Sequence, residues 1–371
     1  MFYYIIMNKA GQIKLYAQIS AALFAVCVIV LIICLFIRSS LLSNKMITFN
    51  DPSPASSSLR GTICDKNGTF LALDSRKTVS SSSGTKSSVR VRVYPYPYAS
   101  LIRLLGEADS EGQGISGIEK MCNEYLVSSE KKDKAMSDGV MLTLDMPLTE
   151  NINKTFNALA GNKIYILAMD TTTGGVSVVW DNDRNNKPDP NDLYSLGDMS
   201  SSPLMNAFLA AVMAEIDKSR LFDYKCIGSS LCPEPHNVIT VDNISLCPSA
   251  VHEMLKLYNE NEIAEYLNSL SFDNYSISSF MNSASSAIQG KKTPKMHILD
   301  SVRVNGEKSN IETEYTPTPK LSEKISSFLL TQLGTASNSE KIIKIGKYLV
   351  YVRSDEKNMS DIIRALKSIL S

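Results

Sequence analysis

An α/β fold (mixed α+β), with an antiparallel sheet flanked by helices behind one membrane anchor, is what this 371-residue sequence predicts. Three patterns predict it. Two β-rich runs, Lys163–Asp170 and Val176–Trp180, flank a Thr/Gly turn at 171–175 and form a hairpin. Segments with helical apolar spacing separate the strands. Finally, Ile19–Ile37 is a charge-free apolar run. At about 1.5 Å per residue it reaches roughly 28 Å, close to a bilayer's hydrocarbon thickness.

In chain order, that anchor comes first. Its length exceeds the apolar core of a cleaved signal peptide, so it is expected to remain. Lys9 and Lys14 precede it while Arg38 and Lys45 follow, so flanking charge barely sets its orientation. Asn50–Ser58 is a Pro/Ser linker by composition, and Ser80–Ser88 is a second low-complexity run. Between them, two extended segments flank the Lys66-Asn67-Gly68 turn. Val140–Asp145 alternates as a strand, and Pro147 opens a helix with Leu148, Ile152, Phe156 and Leu159 on one stripe. A polar loop at Asp181–Asp198 leads to an apolar helix at Leu204–Ile216. Further helices are expected at Ala250–Tyr258, Glu262–Leu270 and Met359–Leu370, with a late strand at Ile343–Val352. The domains expected are 1–50 with the anchor, 51–138 as linker and small N-terminal domain, and 139–371 as the main domain.

Charge narrows the function. Lys and Arg number 38, and so do Asp and Glu. No basic surplus exists to neutralise a phosphate backbone, so no nucleic-acid partner is expected. His236, His252 and His297 lie far apart, and no CxxC pair is present. The sequence therefore predicts no metal and no cofactor. Cys27 and Cys34 lie in the anchor; among the other five, Cys226, Cys232 and Cys247 are clustered closely enough to hold one disulfide in an oxidising exterior.

A series of short motifs then appears in order. Arg60-Gly61-Thr62-Ile63, Asp65-Lys66-Asn67-Gly68 and Leu71-Ala72 form the first group. Tyr94-Pro95-Tyr96-Pro97 with Leu105-Gly106, and Gly114–Glu119 with Tyr125-Leu126, come next. Leu142–Asp145, Met169-Asp170 with Thr173–Val176, Ser202–Asn206, Tyr224–Gly228, Gln289-Gly290 and Thr293-Pro294 complete the series. This order resembles the class B penicillin-binding proteins, the peptidoglycan D,D-transpeptidases. The resemblance implies a penicillin-binding transpeptidase or serine β-lactamase-like sheet, a pedestal-like N-terminal domain, and a single-pass protein of a bacterial membrane facing outward.

The chemistry of that family is acyl transfer through serine. It uses S-x-x-K at a helix start, where the lysine amine takes the hydroxyl proton, together with S-x-N on a loop and K-T-G on an edge strand. Here all three are altered. Ser202-Pro203-Leu204-Met205 puts Met205 in the lysine's place; if Ser202–Asn206 is instead the S-P-L-L-N element, the S-x-x-K segment is missing altogether. Ser83–Lys86 and Ser354–Lys357 spell S-x-x-K in polar surroundings and read as chance. The S-x-N position falls at Cys247-Pro248-Ser249. The K-T-G position falls at Gly346-Lys347-Tyr348-Leu349, and the nineteen residues after Val352 are too few for a closing strand pair with its helix. The expectation is a degenerate, catalytically inactive relative that interacts with other cell-wall synthesis or division proteins, or with peptidoglycan. An active D,D-transpeptidase or carboxypeptidase, and a noncovalent muropeptide or β-lactam binder through Lys347, remain as alternatives, with Cys247 a substitute nucleophile under the first.

Overall fold

The structure is a computed structural model that describes residues 60–80, 86–127, 138–157, 163–182, 202–233, 235–272, 276–304, 306–354 and 358–371. The Ile19–Ile37 anchor, the Asn50–Ser58 linker and most of the Asp181–Asp198 loop lie outside these residues. Among the described residues no helix is long and apolar enough to cross a membrane.

The chain opens with β1 (Thr62–Cys64), β2 (Phe70–Ser80) and β3 (Lys86–Val93). Part of the Ser-rich run at 80–88 is thus strand rather than linker, because β2 and β3 pair over eight residues from Leu73↔Val93 to Ser80↔Lys86. Short helices α1 (Ala99–Leu105), α2 (Gly117–Met121) and α3 (Asn123–Leu126) follow, then β4 (Gly139–Leu142) and α4 (Met146–Phe156). Asp145 caps α4 by accepting the Leu148 N–H, and Pro147 sits in its first turn. The expected hairpin is β5 (Tyr165–Asp170) and β6 (Val176–Asp181).

Next come α5 (Pro203–Asp217), the two-residue strands β7 (Tyr224–Lys225) and β8 (Val238–Ile239), and a 3₁₀ segment at Val241–Leu246. Helices α6 (Pro248–Leu255), α7 (Glu260–Ser269) and α8 (Ile277–Gln289) precede β9 (Leu299–Val304) and β10 (Glu307–Asn310). The chain closes with α9 (Glu323–Thr335), β11 (Glu340–Ile345), β12 (Tyr348–Arg353) and α10 (Met359–Leu370).

Two sheets carry the architecture. One is four-stranded and antiparallel, in the order β11-β12-β5-β6. The other is mixed and six-stranded, in the order β10-β9-β4-β1-β2-β3, with β1 and β4 parallel. That second sheet crosses the 138/139 boundary drawn from sequence, since β4, β9 and β10 join strands from the first hundred residues. Ala55–Ser371 accordingly forms one compact unit.

The single late strand expected at Ile343–Val352 is a hairpin instead. Ile345 pairs with Tyr348 across Gly346-Lys347, and Gly346 has φ +55°, the positive value a two-residue turn needs. The closing strand pair therefore begins at Glu340, and the residues after Val352 are enough for α10 alone.

Both faces of the four-stranded sheet are buried, which is why its strands are apolar almost throughout. Ile166, Ala168, Val178, Trp180, Val350 and Val352 pack with Ile152 and Phe156 of α4 and with Met359, Ile362, Leu366 and Leu370 of α10. Leu167, Met169, Val179, Ile342, Leu349 and Tyr351 face the opposite way, into the core that holds α5, α8 and α9. Helix α5 is buried on nearly every side, from Leu204 to Ala214.

The N-terminal motifs have a packing explanation. Arg60 is buried and donates from Nε to Glu119 Oε2 at 2.5 Å and from Nη2 to the Glu119 carbonyl at 2.6 Å. Its Nη1 reaches Gly112 O at 2.7 Å and Asn123 Oδ1 at 2.8 Å. Arg92 Nε donates to the second Glu119 oxygen at 2.8 Å, and Arg92 Nη1 to Asp74 at 3.1 Å. Gly106 and Gly117 let two backbones touch: a Cβ on Gly106 would lie 2.1 Å from Ser116 O, and one on Gly117 2.6 Å from Leu104 O. Asp65, fully buried, accepts the Asn67, Thr69 and Met146 N–H groups and so ties the Asn-Gly turn to α4.

Candidate active site

Helix α5 begins where the resemblance places the nucleophile. Ser202 is its N-cap: the hydroxyl oxygen accepts the Leu204 N–H at 3.2 Å. Its proton goes to Glu340 Oε2 at 2.7 Å, and Tyr351 donates to the other Glu340 oxygen at 2.5 Å. Burial, with the Glu340 carboxylate beside it, pushes the Tyr351 phenol well above its ordinary range, so it remains a donor. The Tyr351 ring stands edge-on to Tyr165 with centroids 5.8 Å apart, and the Arg353 guanidinium lies over Tyr165.

A serine nucleophile needs a base for its proton and an open approach to its oxygen. Ser202 is 8% exposed and committed in two directions. Met205, one turn on, is a buried thioether with no proton chemistry. The lysine next to Glu340 does not compensate: Lys341 and Glu340 point to opposite faces of β11, and Lys341 Nζ donates to Gly334 O at 2.8 Å. The sequence contains no local sign of the Ser202–Glu340–Tyr351 group, because its members are 138 and 11 residues apart and meet only through the sheet.

Cys247 is the fully buried residue that precedes α6. Burial pushes its thiol up, against the pull of the Ala250 N–H, so it lacks the lowered pKa of a reactive cysteine. Ser249 is buried and shares a short hydrogen bond with the Ser229 hydroxyl. His252 is exposed on α6.

Lys347 does not lie on an edge strand. It occupies the β11–β12 turn, and β12 is interior, between β11 and β5. Its ammonium pairs with Asp170 Oδ2 at 2.7 Å, while its carbonyl accepts the Thr171 N–H and hydroxyl. Burial pushes the Asp170 carboxyl up, but hydrogen bonds from Lys347 and Thr172 outweigh it and hold the carboxyl below its usual range. Lys347 is raised by the same contact. Ser202 bonds to Glu340 at the start of β11, whereas Lys347 lies in the turn that follows the end of that strand. Among the described residues, no hydrogen bond or ion pair joins Ser202, Cys247, Ser249 and Lys347 to one another.

The structure does assemble one group that the sequence spacing speaks against. Cys226, Cys232, His236 and Cys247 have their sulfur and ring-nitrogen atoms within 4.8 Å of one another. The linear spacing conceals this because the ligand types come from the β7–β8 connection and from the residue ahead of α6. No disulfide joins any of the five described cysteines.

No protein-family model matches the sequence, and no curated protein matches it significantly. Solved structures do match in fold. Penicillin-binding protein 3 from Mycobacterium tuberculosis, in complex with aztreonam, aligns with a TM-score of 0.56 and 14% identity over 82% of this chain and 91% of that one. The D,D-transpeptidase domain of a peptidoglycan glycosyltransferase from Eggerthella lenta gives 0.57 and 14% identity over 85% and 98% of the two chains. A peptidoglycan synthetase from Bifidobacterium adolescentis gives 0.59 and 10% identity over 86% and 96%. These likenesses give the chain the fold of the penicillin-binding D,D-transpeptidases.

Proposed function

We propose that this is a catalytically silent penicillin-binding-protein-like protein of bacterial cell-wall peptidoglycan synthesis. It is held by the Ile19–Ile37 anchor at the outer face of the membrane and acts by interaction. The observation that carries this reading is the Ser202 hydroxyl, bonded to a buried carboxylate at 2.7 Å with Met205 where an amine is needed. Loss of a serine nucleophile's base costs several orders of magnitude in rate, and among the described residues no second serine–lysine pair at Ser202, Cys247 or Lys347 replaces it.

An interaction role draws support from the apolar surface. Phe222, Ile227, Leu231, Val238 and Leu246 are all exposed large hydrophobic side chains within one short stretch of chain. The partner in this reading is another cell-wall synthesis or division protein, or peptidoglycan itself. A noncovalent binder gripping a carboxylate through Lys347 has less support, since that ammonium is engaged by Asp170.

The test is covalent labelling of the full chain in membranes with a fluorescent penicillin, beside an active D,D-transpeptidase at equal concentration. No adduct on this chain is expected. A labelled band that disappears in Ser202→Ala or Cys247→Ala would overturn the proposal and establish an acyl-transfer enzyme.

A further inference from the structure

Between Leu221 and Cys247 the chain has little regular structure of its own: two strands of two residues each and one 3₁₀ segment. Yet Cys226, Cys232 and Cys247 are buried there, around a half-buried His236. The Cys232 sulfur lies 3.5 Å from His236 Nδ1 and 3.7 Å from Nε2. Ligands about 2.0–2.3 Å from a tetrahedral zinc are roughly 3.5–3.8 Å from each other. A group that already fits within 4.8 Å needs a contraction of only about 1 Å to reach that geometry.

A second observation points the same way. Cys247 sits at the N-terminal end of α6, where the helix dipole favours negative charge.

We propose that Cys226, Cys232, His236 and Cys247 bind one zinc(II) ion in a tetrahedral Cys₃His site that staples the β7–β8 connection to the start of α6. Three thiols and one imidazole suit zinc rather than a hard cation. On binding, each thiol releases its proton to solvent, and three thiolates with a neutral imidazole leave a single net negative charge on the site. All four ligand positions are filled by protein, so the ion is structural and activates no water. The site falls where the transpeptidase resemblance expects its S-x-N loop. There, a metal staple replaces a proton-relay element.

The experiment is metal analysis of the full chain, purified in detergent without chelator and equilibrated with zinc. One zinc per chain is expected. Replacement by cobalt(II) is expected to give sulfur-to-cobalt charge-transfer absorption and the intense visible bands of a tetrahedral ion. His236→Ala is expected to weaken zinc binding by more than the roughly hundredfold that loss of an outer-shell partner costs. Cys64→Ser, away from the group, should leave the stoichiometry at one. Three results would overturn the site: a wild-type chain that takes up neither zinc nor cobalt, stoichiometry unchanged by Cys232→Ala and His236→Ala, or mass-spectrometric proof of a disulfide among the three cysteines. The cobalt spectrum of the wild type decides the matter even if a variant does not fold.

Discussion

Replacing Arg60 by Met tests whether the N-terminal motifs are there to build a buried ion network. Arg60 is 4% exposed, and its guanidinium makes four hydrogen bonds, to a carboxylate oxygen and the carbonyl of Glu119, to Gly112 O and to Asn123 Oδ1. Removal leaves Glu119, itself fully buried, with Arg92 and Tyr94 only, and strips two backbone carbonyls of a partner. Breaking one side of a buried pair costs about 3–5 kcal/mol. That is roughly two to three and a half orders of magnitude in the folding equilibrium. For a unit of this size the midpoint of thermal unfolding should fall on the order of 10 °C. Circular dichroism follows the whole unit, and Trp180, the single tryptophan, reports on the four-stranded sheet. Arg60→Met with Glu119→Gln should cost less than the two changes summed, because each single change strands a charge that the double change removes. A loss below about 1 kcal/mol for Arg60→Met would put the pair in the class of surface bridges and refute the reasoning.

Other outcomes follow from the site. Tyr351→Phe removes one of two hydroxyl donors from the buried Glu340 carboxylate and should destabilise by about 1–3 kcal/mol in urea titration. Lys347→Ala should leave penicillin labelling unchanged and alter only the acid limb of stability. Asp170 titrates below its unfolded value near 3.9, so its contribution is complete above that pH and is lost as pH falls through the folded value. The variant should therefore lose less on acidification below about pH 4 than the wild type, and an unchanged acid limb would remove Lys347 as the cause of the shift. Chelation with EDTA should lower the thermal midpoint of the wild type and not of Cys226→Ala. At a thousandfold excess of zinc over its dissociation constant the difference is about 4 kcal/mol.

Local pattern revealed most of the elements, and long-range pairing concealed the rest. The stripe Met359, Ile362, Leu366 and Leu370 marks α10 with the bounds observed. The β-rich run at Ile343–Val352 reads as one strand because both halves are apolar on both faces, and only Gly346 betrays the turn. The alteration of the catalytic letters is visible in Met205 and Cys247, but the use made of Ser202 is not. Glu340 and Tyr351 reach it through strand pairing that no short window contains. The cysteine–histidine group stays hidden for the same reason: spacing rules describe ligands carried on one knuckle, whereas here Cys247 arrives from the start of another helix.

The weave of the six-stranded sheet constrains how the chain can be made. Strand β1 pairs with β4, and Val140 of β4 pairs with Val302 of β9, a partner more than 160 residues later. The sheet cannot close on a ribosome until residues near Asn310 have emerged, so the earliest strands wait with unpaired edges. A gene cut between the two regions would encode an amino-terminal piece missing half of its own sheet. Such a piece is expected to aggregate rather than mature alone.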